Sequence, residues 1–137
     1  MTKTAATTAQ QIALAAIAFE RRLTGHAPKW VTVVLSEGTL VVTLHGALSP
    51  AQKAMAQTPE GAAKVQEYHR ELFNTSSHPL RQEIKRITGV DVREATAEIE
   101  STTGTVVKAF TTGTVVQVFL LTDGVPADSW SGSGSEQ

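Results

Sequence analysis

Four histidines, His26, His45, His69 and His78, are the side chains whose type best suits acid–base or metal chemistry near neutral pH. A metal site needs a second ligand in reach, at i+4 on a helix or i+2 on a strand. None of the four has one. His69 lies in Glu67-Tyr68-His69-Arg70-Glu71, where the glutamates share a helix face that the histidine does not. Glu94, Glu98 and Glu100 fall at alternate positions, as the polar side of a strand does, and read as a solvated face rather than an acid–base pair. Serines and threonines are abundant, but none sits in a nucleophile elbow. Gly104 and Gly113 precede strand-like runs rather than helices, so no glycine loop is placed to cradle a phosphate. Arg21, Arg22, Arg70, Arg81, Lys85 and Arg86 alternate with acids along helical stretches, and nothing in the sequence gathers them. No catalytic, cofactor-binding or metal-ligating set is predicted, and the chain is not expected to be an enzyme. The best candidates for a binding surface are Trp30 with His45, and His69 with Arg70.

The elements that must position these residues follow from periodicity and caps. Ile12, Ala16, Phe19 and Leu23 recur at helical spacing, Gly25 can end that helix in the left-handed conformation, and Pro28 stops its continuation. Trp30 to Gly46 then reads as a β-hairpin turning at Glu37-Gly38. With a two-residue loop, Leu35 meets Leu40, Val33 meets Val42 and Val31 meets Leu44, all on one face. The other face carries Trp30 with His45, Thr32 with Thr43 and Val34 with Val41, semi-apolar enough to want a cover. Ser49-Pro50-Ala51-Gln52 is a capping box with proline at the first helical position, and Thr58-Pro59-Glu60 repeats the cap-plus-proline signal. A stripe through Val65, Tyr68/His69, Leu72, Ser76, Leu80, Ile84 and Ile87 predicts one long central helix, kinked or broken at Pro79. Ile87-Thr88-Gly89 ends it as Leu23-Thr24-Gly25 ended the first.

Val90 to Leu121 is β-rich and contains a tandem repeat, Thr102–Phe110 followed by Thr111–Phe119, identical at seven of nine positions. A bend or bulge at Gly113, or a separate short strand, would accommodate it. In the last strand Val116, Val118 and Leu120 share one side, and Val115, Gln117, Phe119 and Leu121 the other. A strand apolar on both sides is either covered twice or part of an oligomer interface, and the second set is the candidate interface. Residues 122–137 are Gly/Ser-rich and predict a disordered tail, 1–9 a flexible N-terminus, and 10–121 a single domain. Trp130 has no evident partner. The expected fold class is α+β: an antiparallel sheet of about four strands, as two hairpins, against an N-terminal helix and the long central helix.

The chain has 137 residues, net charge −1, and no run of like charge, which argues against nucleic-acid or membrane-surface binding. The absence of cysteine excludes disulfides and thiolate ligands and suits a reducing cytoplasm. Ile12 to Phe19, the longest nearly apolar stretch, is too short to span a bilayer and runs into Glu20-Arg21-Arg22 rather than a cleavage site, so no membrane insertion is expected.

Gly25-His26-Ala27-Pro28, Gly46-Ala47-Leu48-Ser49-Pro50-Ala51-Gln52, Gly61, Arg70 and Ile87-Thr88-Gly89 together resemble one family, the MpsC-like (YbcI-like) proteins, named for a Na+-translocating membrane-potential-generating system. The resemblance covers roughly Ile12 to Leu121. The family usually has an acidic residue where Gln52 stands, and the repeat adds length to the final β-pair. The resemblance implies an accessory, non-catalytic cytoplasmic protein without a cofactor, associated with a membrane system for Na+ or inorganic-carbon transport. The expected partners are a second copy of the chain and a membrane transport protein. The alternative is a small-molecule or anion sensor with a pocket between the sheet and the long helix.

Overall fold

The computed structural model describes residues 6–99 and 114–133. Helix α1 (Thr8–Thr24) begins inside the stretch expected to be flexible, because two acceptors hold its first amides. The Thr7 hydroxyl accepts from the Gln10 amide at 3.2 Å, and the Asp128 carboxylate accepts from the Ala9 amide at 2.8 Å. At the other end Gly25 takes φ 77° and donates to the Arg21 carbonyl, while the Thr24 hydroxyl donates to the Glu20 carbonyl and accepts from the His26 amide. The Thr-Gly pair that closes α4 does the same: Gly89 has φ 79°, and Thr88 bridges the Ile84 carbonyl and the Val90 amide.

β1 (Trp30–His45) is a single run of β structure, yet it folds back on itself. A straight run of 16 residues would separate its ends by roughly 50 Å. Instead the Lys29 amide donates to the His45 carbonyl at 2.8 Å. The reversal falls about Glu37-Gly38, where Glu37 takes a φ of 57°, the left-handed backbone of a tight turn. The predicted inner face is the buried one: Val31, Val33, Leu35, Leu40, Val42 and Leu44 are each at most 1 % exposed.

β2 (Val92–Ile99) and β3 (Val115–Gly132) complete an antiparallel sheet with order β1-β3-β2. The expectation of about four strands gives way to three β runs among the described residues. β3 lies along both legs of the β1 hairpin: Val115–Leu120 pair with Leu44–Thr39, and Asp128–Gly132 pair with Leu35–Val31. Between them the chain crosses the hairpin tip, where Gly38 sits against the carbonyls of Leu121 and Asp123. The stretch expected to be a disordered tail is therefore strand as far as Gly132. Trp130, partly buried, packs against the core above Gly132 and opposite Val33.

The long central helix is two helices. α3 (Pro59–Ser76) and α4 (His78–Thr88) are separated at Ser77, one residue after α3 ends, because Pro79 cannot donate and restricts the residue before it. α2 (Pro50–Met55) opens with the predicted capping box: the Ser49 hydroxyl accepts from the Gln52 amide at 3.2 Å, and the Gln52 side chain accepts from the Ser49 amide at 3.3 Å. Its last carbonyl presses on α3. A Cβ at Gly61 would lie 1.8 Å from the Met55 carbonyl oxygen, so only glycine fits there. The helices cover one face of the sheet. Phe19 of α1 meets Phe73 of α3 edge-on at 6.4 Å, and Phe73 meets Phe119 of β3 at 5.9 Å, linking both helices to the sheet in one core.

Candidate functional site: the outer face of the sheet

Alternation along β1 and β3 sends every second side chain away from the helices. From β1 these are Trp30, Thr32, Val34, Val41, Thr43 and His45, and from β3 Val116, Val118 and Leu120. Thr43 stands opposite Val116, Val41 opposite Val118 and Thr39 opposite Leu120, so the apolar side chains form one stripe across the two strands. Val34 is 46 % and Trp30 47 % exposed, and Val116, Val118 and Leu120 are half-buried. A depression of about 330 Å³ opens on this stripe, lined by Glu94, Ala95, Val118 and Leu120. At the end where Trp30 lies, Ser131 fixes the indole: Nε1 donates to its hydroxyl at 2.7 Å, and the Thr32 hydroxyl lies 3.0 Å from the same oxygen.

The four predicted surface residues divide between two places. Trp30 and His45 lie at the two ends of the hairpin, which the bond from the Lys29 amide to the His45 carbonyl brings together. His69 and Arg70 lie on α3, in the helical layer on the opposite side of the sheet. His69 is only 6 % exposed, and its Nε2 is 3.5 Å from the Gln52 side-chain oxygen. Burial pushes its pKa down to about 4, so it is neutral at pH 7. Arg70 pairs with Glu67 at 3.3 Å on the helix surface. The four residues thus form no common site.

The predicted oligomer interface is corrected in the same way. Val115, Gln117, Phe119 and Leu121 are 2 %, 2 %, 0 % and 5 % exposed, and the chain's own helices cover them. Both sides of β3 read as apolar in sequence, and only the side taken by α1 and α3 decides which is core. The side that no described helix covers is that of Val116, Val118 and Leu120.

Three buried polar atoms have no hydrogen-bond partner among the described residues: Glu20 Oε2, Arg81 Nε and Gln117 Oε1. Glu20 is 2 % exposed at the C-terminal end of the buried face of α1, and burial raises its pKa to about 7. Sequence periodicity marks that face but gives no warning of a carboxyl in it. A second depression, about 560 Å³, runs between Ala15, Phe19 and Arg22 of α1 and Leu80, Glu83 and Arg86 of α4, where Arg86 is paired with Glu83. It lies between two helices rather than between sheet and helix, and neither His45 nor Arg70 lines it. Among the described residues no group of histidines and carboxylates is placed to hold a metal ion.

A sequence model of the family described as "Na+-translocating membrane potential-generating system (MpsC)" matches residues 4–114. The chain belongs to the MpsC family. No curated protein and no solved structure matches it. Among the described residues no helix is long and apolar enough to cross a membrane. The MpsC match stops at residue 114, so it takes in α1 to β2 and ends just before β3, the run that joins β1 to β2.

Proposed function

We propose that this MpsC protein is a non-catalytic, cytoplasmic accessory protein that acts by binding other proteins, in association with a membrane system for Na+ or inorganic-carbon transport. The observation that carries the reading is the two-layer fold: helices cover one face of the sheet, and the other presents Val34, Val41, Val116, Val118 and Leu120 with no element of the described chain over them. An apolar stripe of this kind is what a protein interface uses at its centre. The family description supplies the context, and with no membrane-crossing helix of its own the chain would contribute to transport through a partner.

The same stripe is self-complementary under a two-fold axis, which favours a homodimer formed face to face. Size exclusion with light scattering is expected to give a dimer at micromolar concentration, and Val118→Glu a monomer. Affinity capture from the native host is expected to recover a membrane transport protein with the parent chain and to lose it with Val118→Glu. A monomeric parent that captures no membrane protein sinks the proposal.

A further inference from the structure

A depression of about 360 Å³ opens between α2 and α3, in the helical layer. Gln52 and Met55 of α2 and Lys64, Val65 and Tyr68 of α3 line it. The three α3 residues share one helix face, and Met55 is held against that helix where its carbonyl touches Gly61. Val65 is buried, whereas Met55 and Tyr68 are 50 % and 48 % exposed. Exposed apolar side chains are ordinary when scattered and informative when they meet at a concavity.

The polar groups at this concavity are set by the capping box. The Ser49 amide can only donate, so it fixes which end of the Gln52 side chain faces it: the oxygen, at 3.3 Å. The same oxygen lies 3.5 Å from His69 Nε2. The Gln52 amide nitrogen, with two N–H groups to give, makes no hydrogen bond within the described chain. Lys64 is exposed and forms no ion pair among the described residues. Both free groups donate only, and one is a cation. Beside an apolar wall, that combination complements an apolar body carrying a carboxylate.

We propose that the α2–α3 depression binds a small apolar monocarboxylate. Its hydrocarbon body lies against Met55, Val65 and Tyr68, and its carboxylate accepts from the Lys64 ammonium and the Gln52 amide nitrogen. A free acid fits better than the C-terminal end of a protein chain. A chain end brings backbone N–H donors, and Lys64 has no acceptor for them while the Gln52 oxygen is already taken. The ligand would also join α2, which buries no residue of its own, more firmly to α3. The site uses none of the outer-face residues, so the chain carries it alongside the docking surface of the sheet.

Hexanoate and its uncharged analogue hexanamide test this on the full chain, in an NMR titration that follows the backbone amides at constant ionic strength. Hexanoate is expected to shift the amides of Gln52–Met55 and Lys64–Tyr68, leaving those of β1 in place, with a Kd on the order of 1 mM for so few atoms. Hexanamide is expected to bind about tenfold more weakly. Lys64→Met keeps an aliphatic stem at an exposed position, so the chain stays folded, and is expected to abolish that preference. Gln52→Glu keeps an acceptor for the Ser49 amide but sets a carboxylate where the donor stood, and is expected to weaken hexanoate at least about tenfold. Acetyl-alanyl-leucine, an apolar chain end with its carboxylate, is expected to bind no tighter than hexanoate. Silence of both helices at about 50 mM hexanoate, equal affinity for hexanamide, or a preference that survives Lys64→Met would overturn the proposal. A dipeptide that binds about tenfold tighter than hexanoate would overturn it in favour of a protein C-terminus.

Discussion

The buried face of α1 around Glu20 and the junction of α2 with α3 around His69 solve the same problem differently. Each sinks a titratable side chain into a helix face that packs on the core. At the junction, the Gln52 side-chain oxygen that closes the capping box of α2 also faces the imidazole of His69, and Gly61 lets the Met55 carbonyl touch α3. The polar group there is part of a tied joint. Around Glu20 no donor reaches Oε2, and the carboxyl is carried by apolar packing alone. Burial disfavours the charged form in both places, but since one group is an acid and the other a base, the two pull stability in opposite directions with pH.

The largest expected effect tests the tied joint. Gly61→Ala places a methyl 1.8 Å from the Met55 carbonyl oxygen, a backbone atom that cannot swing away, so α2 must leave α3. A loss of about 3 kcal/mol is expected in urea unfolding at pH 7. A change below roughly 1 kcal/mol would mean that the junction is loose and that the contrast with α1 has been drawn too strongly.

Next in size are the pH dependences. Glu20 is raised from 4.5 to about 7, so the folded chain holds its proton more tightly than the unfolded one. Its contribution is fully present below pH 4.5 and is lost as pH rises through about 7, by about 3 kcal/mol. His69 is lowered from 6.5 to about 4, so the unfolded chain binds its proton first. Stability from its burial is present above pH 6.5 and is lost as pH falls through about 4, by a similar amount. Between about pH 4.5 and 6.5 the two slopes oppose, and the parent chain is expected to show a flat profile. Glu20→Gln removes one limb: stability then rises with pH from 4 to 6.5, and at pH 8 the variant exceeds the parent by about 2 kcal/mol. His69→Gln keeps a donor for Gln52 and removes the other limb, costs about 1 kcal/mol at pH 7 through lost packing, and leaves stability falling from pH 4.5 to 7. Urea midpoints at half-unit pH steps separate the three curves. Parallel profiles for parent and Glu20→Gln would show that Glu20 is hydrated after all.

Much of this architecture was legible where the signal is local. The caps at Ser49 and Thr58 and the stops at Gly25 and Gly89 stand where the sequence puts them, because each is a hydrogen-bond problem solved within a few residues. The six inner residues of the hairpin were legible from alternation about Glu37-Gly38. Two things were not. The strand from Val125 to Gly132 looks like a tail because its stability comes from ladder bonds to β1, some hundred residues earlier, and not from its own propensity. The side of β3 that faces the core was hidden because both sides are apolar, and the choice belongs to the helices above it.

Asp128 puts that long-range origin to the smallest test. Its carboxylate, held below its ordinary pKa chiefly by the Ala9 amide and further by the Thr7 hydroxyl and the Ser129 amide, ties the last strand leg to the start of α1 by hydrogen bonds. It also places a negative charge at the positive end of the helix. Asp128→Ala removes the bond from the Thr7 hydroxyl to the carboxylate but leaves that hydroxyl accepting from the Gln10 amide, so the expected loss is only about 0.5–1 kcal/mol at pH 7. It should shrink as pH falls through the depressed pKa and the carboxylate is protonated in the parent too. Hydrogen exchange gives the sharper reading: amides in the first turn of α1 should exchange faster in the variant, while those paired between Leu44–Thr39 and Val115–Leu120 keep their protection. If the first turn is unaffected, the last leg and α1 are stable independently, and the segment 125–132 is held by its backbone ladder alone.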